Sequence, residues 1–292
     1  MANFQGIFPA LLTPFRPDGS IHEQALAQLM ERCLRQGVQG FYVSGSTGEA
    51  FLMETGERMC LLALCKEIAA NRCTLIAHVG CISTKATIAL GLEAQRLGYD
   101  AISAVAPFYY KFTLEEIAQF YTQVMDAVDL PMLVYNIPGY SGVQFGAKRL
   151  IQMLADERVL GLKHSSPDYF ELSQIKAACP HKIAYNGCDE TFLQGLCAGA
   201  DGGIGSTYNF LADRYLRIRA AFQAGQLQTA LQEQRVCADI VEKLLRVGVM
   251  AGQKEILCQL GLDFGQCRAP FQPLSGEQKA FIAKEILPLL QA

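Results

Sequence analysis

The chain has 292 residues, 51% hydrophobic and 18% charged, with a formal net charge of -3. This apolar share supports a large core and excludes a disordered chain, and the length suits either two average domains or one large α/β barrel. The mild charge, with no basic stripe or acidic tail, excludes an electrostatic footprint for nucleic acid or a membrane surface. Along the chain, short apolar runs alternate with amphipathic stretches. The predicted strands are Gly6–Leu12, Gly40–Ser44, Thr74–Val79, Asp100–Ala106, Pro131–Ile137, Val159–Ser165, Lys182–Asn186 and Gly202–Ser206. Several are rich in Val, Ile and Tyr and bounded by Gly or Pro, the pattern of parallel strands buried on both faces. Between them the helical period predicts Glu23–Gln36, Thr55–Ala70, Ser83–Leu97, Thr113–Val128, Gly146–Leu154 and Asp168–Ala178. Ser83 stands at a cap position, and Thr113 with Glu116 has capping-box spacing.

Eight strand–helix units predict a parallel sheet closed into a (β/α)8 TIM barrel over residues 1–210. Residues 211–292 hold no strand-like run. They read as a C-terminal helical extension packed on the barrel as one structural unit, with a long helix near Leu227–Val247 and a turn at Pro270–Pro273. A doubly wound open sheet is disfavoured because Pro9–Gly19 lacks a Gly-rich dinucleotide loop. The segment Met1 to Phe15 lacks the features of a secretory signal and no apolar segment reaches membrane-spanning length, so a cytoplasmic protein is expected. The 11 cysteines are odd in number and scattered. Neither a disulfide framework nor a zinc site is expected, and most read as small buried hydrophobes.

Catalytic groups of such a barrel sit where strands end. Those ends carry Gly45-Ser46-Thr47-Gly48-Glu49, Tyr135-Asn136-Ile137-Pro138, Lys163-His164-Ser165, Gly187-Cys188-Asp189-Glu190 and Gly202-Gly203-Ile204-Gly205-Ser206-Thr207. Alternation puts Val159, Gly161, Lys163 and Ser165 on one face and Leu160, Leu162 and His164 on the other. With the leucines toward the helices, Lys163 points into the barrel, and Gly161 leaves room for its stem. Burial there favours the neutral amine that attacks a ketone. A lysine paired with a carboxylate, or one reaching solvent, is the structural alternative. Tyr135, at a similar height on the neighbouring strand, is either a proton donor and acceptor or a core tyrosine. Ser46 and Thr47 offer hydroxyls and N–H groups for a carboxylate, or form a capping box with Glu49. Asp189 and Glu190 suit a helix start or sugar-like hydroxyls. Gly202–Gly205 suits a phosphate or a bulky substrate. The four histidines share no ligand spacing, so no metal is expected.

Together, in order and spacing, the five strings, with Gly161-Leu162-Lys163 and Tyr185-Asn186-Gly187, resemble the N-acetylneuraminate lyase and dihydrodipicolinate synthase superfamily over nearly the whole chain. Within it the sequence looks like the sialic acid lyase branch, because Gly139-Tyr140-Ser141-Gly142 lacks the arginine that synthases carry after the Tyr-Asn-Ile-Pro string. The resemblance implies a class I aldolase that reversibly cleaves N-acetylneuraminate to N-acetylmannosamine and pyruvate, with no cofactor beyond the Lys163 imine. Tyr135 is then the proton-transfer group, Ser46 and Thr47 bind the pyruvate carboxylate, and Ser165, Gly187, Asp189, Glu190 and Ser206 hold the sugar. Tyr109 is implied to lie near a subunit contact and assist the proton relay in a homotetramer. Two positions depart from the pattern: Ser165 replaces a common threonine, and Cys188 replaces an aromatic common in bacterial lyases. The alternatives are an aldolase for 2-keto-3-deoxy sugar acids or a dihydrodipicolinate synthase-like condensation.

Overall fold

The structure is a computed structural model and describes residues 2–291; Met1 and Ala292, the outermost residues of the two expected segments, lie outside it. Eight parallel strands form one sheet in the order β1-β8-β7-β6-β5-β4-β3-β2. They are β1 (Gly6–Pro9), β2 (Gly40–Val43), β3 (Thr74–His78), β4 (Ala101–Val105), β5 (Met132–Asn136), β6 (Val159–His164), β7 (Ile183–Asn186) and β8 (Gly202–Gly205). The ring closes between β1 and β2, where Gln39 N donates to Ile7 O at 3.1 Å and Leu11 N to Tyr42 O at 2.9 Å. Nearly every strand residue is buried, as a sheet covered on both faces requires. Each observed strand lies inside its predicted run. The largest trimming is at β1, which ends at Pro9; Ala10 N and Leu11 N still bond Gly205 O and Tyr42 O, and Leu12 N turns to Asn209 Oδ1.

The helices that follow the strands are α1 (Glu23–Gln36), α2 (Thr55–Ala69), α3 (Thr84–Leu97), α4 (Leu114–Ala127), the short α5 (Pro138–Ser141), α6 (Gly146–Leu154), α7 (Tyr169–Ala178), α8 (Phe192–Cys197) and α9 (Tyr208–Gln223). The predicted caps form: Ser83 accepts from Ala86 N, and Thr113 with Glu116 makes a reciprocal box. Helix α9 spans the 210/211 junction and packs on α1 and β1 as the eighth helix of the ring. Beyond it come α10 (Leu227–Val247), α11 (Val249–Gln259), α12 (Gly276–Phe281), a π-turn over Ile282–Ile286 and α13 (Leu287–Gln291). Helix α10 lies against α9, tied by the Arg214–Glu233 ion pair at 2.7 Å.

Apolar side chains fill two separate spaces. One cluster lies between sheet and helices; the other fills the barrel and includes Phe8, Tyr42, Ile76, Leu133, Tyr135, Tyr185 and Ile204. The strict alternation expected along β6 fails at its start. Met132 pairs with Val159 but Leu133 pairs with Gly161, so Leu160 is a bulge. The extra residue resets the parity: Val159 packs with Leu162 in the outer cluster, and Leu160 packs in the inner one. Lys163 keeps its inward place because the bulge precedes it. The reason expected for Gly161 also changes, since a Cβ there would meet Ile183 O of β7 at 1.9 Å. Strand β7 itself, more than the lysine stem, demands glycine. All 11 cysteines are free. No helix among the described residues is long and apolar enough to cross a membrane.

Candidate active site

The carboxyl ends of the strands open into a cleft of ≈ 1220 Å³, and Ser46, Thr47, Tyr135, Lys163, Ser165, Gly187, Asp189, Glu190 and Ser206 all line it. Its outer wall comes from the C-terminal segment, through residues such as Leu244 of α10, Gln253 of α11 and Phe271 of the loop before α12. Lys163 is next to last on β6 and pairs in register with Tyr135 on β5 and Tyr185 on β7. It is 5% exposed, and Nζ stands 4.2 Å from the Tyr135 ring centre and 4.5 Å from that of Tyr42. No carboxylate lies within ion-pair distance of it among the described residues, so it is not the paired structural lysine. Two electron-rich ring faces are its immediate surroundings instead.

A ring of aromatic groups supports that pair, and the sequence reasoning overlooked it. Tyr42 Oη hydrogen-bonds Ser103 Oγ at 3.0 Å, and Ser103 Oγ donates to Leu133 O. His78, fully buried, lies with its ring 6.0 Å from that of Tyr135. His78 Nδ1 donates to Ser44 O at 2.9 Å, which leaves Nε2 to accept from Val105 N at 3.3 Å. Burial first, then the Arg58 charge, holds this imidazole well below its ordinary pKa, so the ring is neutral. Arg58 is itself buried, with its donors on Ser44 Oγ and on the carbonyls of His78 and Gly80. The signal was present: Tyr42, His78, Tyr135 and Tyr185 each end or nearly end a strand, where ring-bearing side chains meet at one height.

Ser46 and Thr47 do not belong to a capping box. Residues Ser46–Gly48 form a single 3₁₀ turn, and Glu49 follows in the left-handed region at φ 61. Its side chain turns inward, to an ion pair with Lys254 of α11 at 2.5 Å and to Arg268 N at 2.8 Å. The capping box of this region is one step on, between Glu54 and Glu57. The Ser46 and Thr47 N–H groups have no acceptor among the described residues, so with two hydroxyls they leave four donors facing the cleft.

On the opposite side, Ser165 Oγ is buried without a partner among the described residues. A Cβ at Gly187 would come within 1.9 Å of that oxygen, so glycine keeps the space in front of it open. Asp189 Oδ2 accepts from Thr207 N at 2.7 Å, Thr207 Oγ1 at 2.8 Å and Ser206 Oγ at 3.2 Å. Burial pushes its carboxyl up to about 6 despite those donors. Glu190 is exposed at the cleft edge. Burial also pushes the Cys188 thiol up to about 12, so it faces the cleft protonated. The glycines of β8 answer to neighbours within the protein: a Cβ at Gly202, Gly203 or Gly205 would strike Gly6 O, Tyr208 Oη or Asp189 Oδ1. His164 points away from Lys163, toward Asn136 and Asp168 O. Tyr109 stands apart from the cleft, 83% exposed with φ 80. No cluster of three or more His, Cys, Asp or Glu able to hold a metal ion is present among the described residues.

An amine and a phenol at the mouth of a closed (β/α)8 ring, beside donors for a carboxylate and acceptors for hydroxyls, define a Schiff-base aldolase of small carbonyl acids. The sequence model of the dihydrodipicolinate synthetase family matches residues 3–287, and the chain belongs to that family. It is 42% identical over 290 residues to the N-acetylneuraminate lyase of Enterobacter sp. (strain 638), covering 99% of this chain and 95% of that one. Among solved structures, the CdNal protein of Clostridium difficile, in complex with mannosamine, superposes with a TM-score of 0.95 at 32% identity, covering 99% of both chains. The Ruminococcus gnavus sialic acid aldolase, solved as a catalytic lysine mutant, gives 0.93 at 30% identity, covering 100% of this chain and 97% of that one.

Proposed function

We propose that this protein reversibly cleaves N-acetylneuraminate to N-acetylmannosamine and pyruvate, with Lys163 as the amine that forms the imine. One observation carries the assignment of the amine: Lys163 Nζ opens into the cleft beside the Tyr135 ring, with no carboxylate among the described residues to hold it. The Nζ lone pair attacks the C2 ketone, water leaves, and the imine forms. The Tyr135 phenol gives its proton to the imine nitrogen, the phenolate takes the proton of the C4 hydroxyl as the C3–C4 bond breaks, and the bonding electrons pass to the protonated nitrogen, leaving an enamine. N-acetylmannosamine departs as the aldehyde. Tyr135 returns the proton to C3, and water releases pyruvate.

Ser46 and Thr47 hold the carboxylate throughout, while Ser165, Gly187, Asp189, Glu190 and Ser206 receive the sugar hydroxyls. The lysine imine supplies the electron sink, so no metal or organic cofactor is assigned. Residues 1–210 and 211–292 act as one structural unit, the second segment forming the outer wall of the cleft. The assembly assigned is a homotetramer in the cytoplasm, with Tyr109 at a subunit contact assisting the proton relay. The strained backbone and high exposure of Tyr109 favour that place, because both are costly for an aromatic without a subunit packed on it. Pyruvate release, coupled to lactate dehydrogenase, separates N-acetylneuraminate from 2-keto-3-deoxy sugar acids, and consumption of pyruvate in the presence of aspartate semialdehyde reads the condensation. Turnover of N-acetylneuraminate ahead of both is expected; preference for either alternative overturns the substrate assignment.

A further inference from the structure

The cleft contains a polar side chain that the reaction above does not use. Gln253 projects from α11 into the same wall, is 0% exposed, and donates from Nε2 to Ser206 Oγ at 2.8 Å. Ser206 has one hydroxyl proton, which goes to Asp189 Oδ2 at 3.2 Å. The chain of donors therefore runs in one direction, from amide to hydroxyl to carboxylate. Two acceptors are left over. Gln253 Oε1 and Asp189 Oδ1 are both buried, and neither has a hydrogen-bond partner among the described residues. A buried carbonyl without a donor is destabilising, whereas leucine of nearly the same shape would fill the site without that cost.

Packing fixes Gln253 in place. The preceding residue, Gly252, comes so close to α10 that a Cβ would meet Leu244 Cδ2 at 2.8 Å. The following residue, Lys254, is locked to Glu49 by the buried ion pair. The unpaired carbonyl is therefore held, and a ligand has to come to it.

We propose that Gln253 is a specificity-determining residue that accepts a hydrogen bond from a hydroxyl on the polyol tail of the substrate, beside a second hydroxyl received by Asp189. Two neighbouring acceptors suit a group that supplies two O–H donors. They reject a carboxylate or a second carbonyl, which bring lone pairs only. The inference rests on the sialic acid lyase reading and names the residue that would let this enzyme prefer a long hydroxylated chain over a short keto acid.

The test compares wild type with Gln253→Leu and Gln253→Met on N-acetylneuraminate and on a six-carbon 2-keto-3-deoxy acid, which lacks the distal hydroxyls. The expected result is a loss of about tenfold or more in kcat/KM on the nine-carbon sugar, mostly in KM, with the short acid within about twofold of wild type. Equal losses on both substrates, or none on either, overturn the proposal. A second measurement needs no variant: wild type is assayed on side-chain deoxy analogues of N-acetylneuraminate. At least one missing hydroxyl should cost about tenfold, and a profile flat across all positions refutes the contact. Failure of the underlying reading has a different signature, because wild type would then release no pyruvate from N-acetylneuraminate itself.

Discussion

Replacing Lys254 by methionine should unfold the mouth of the barrel before it touches the chemistry. Lys254 and Glu49 are 1% and 0% exposed and lie 2.5 Å apart, and Lys254 Nζ also caps Gln266 O and the face of Phe15. Burial lowers the Lys254 pKa, while Glu49 opposes that shift, so the pair is held together against its own desolvation. Methionine preserves the stem and removes the charge, which leaves the Glu49 carboxylate buried with Arg268 N and the Cys267 side chain beside it and no cation paired with it among the described residues. Breaking one side of such a pair costs about 3–5 kcal/mol. For a chain of 292 residues, unfolding entropy scales so that each kcal/mol moves Tm by about 1.6 °C. The expected loss is thus about 5–8 °C. Glu49 also ends the turn that carries Ser46 and Thr47, so KM for pyruvate in the synthetic direction should rise about tenfold or less, with kcat little changed. The double variant Lys254→Met/Glu49→Gln removes the stranded charge and should recover at least half of the lost stability. Urea unfolding and differential scanning calorimetry measure it. A single variant within about 1 kcal/mol of wild type, or a double variant worse than the single, refutes the reasoning.

Two further outcomes follow from the same geometry. Tyr135→Phe should still trap pyruvate on reduction but turn over about 100-fold to 10,000-fold more slowly, since the ring remains against Lys163 and only the proton carrier is gone; wild-type turnover removes the phenol from the mechanism. Asp189 titrates near pH 6 when folded against an ordinary 3.8, so between about pH 4 and pH 6 the folded state keeps a proton that the unfolded chain has released. Stability from this group is therefore present at low pH and lost as pH rises through 6, by about 3 kcal/mol for a gap of about two units. Urea unfolding of Asp189→Asn should show its stability relative to wild type improving from pH 4 to pH 8, and a flat or reversed difference contradicts that sign.

The parts of this architecture that depend on local pattern were legible, and those that depend on distant packing were not. Buried parallel strands must be apolar on both faces, so β2, β4 and β5 stood out as Gly- or Pro-bounded runs, and Glu23–Gln36 and Leu227–Val247 matched their helices end to end. The inward face of Lys163 followed from alternation over two residues, which the bulge at Leu160 leaves intact. Val159 was misassigned because a bulge adds a residue without a composition signal. Ser46 to Glu49 has the spacing of a capping box, but the left-handed backbone at Glu49 directs its carboxylate to a helix near the other end of the chain. Gln253 lies 47 residues from the hydroxyl it contacts, and nothing in its own segment marks it as facing a cleft. The glycines of β8 illustrate the same limit, since their neighbours are Gly6, Tyr208 and Asp189.

The central claim is that the amine of Lys163 bonds covalently to a keto acid. Incubation with pyruvate and borohydride, followed by peptide mass spectrometry, reads it directly. The account predicts loss of activity and, on the peptide containing Lys163, a gain equal to pyruvic acid less one oxygen atom. An unmodified Lys163 with activity retained, or the same adduct on a surface lysine such as Lys148, contradicts it.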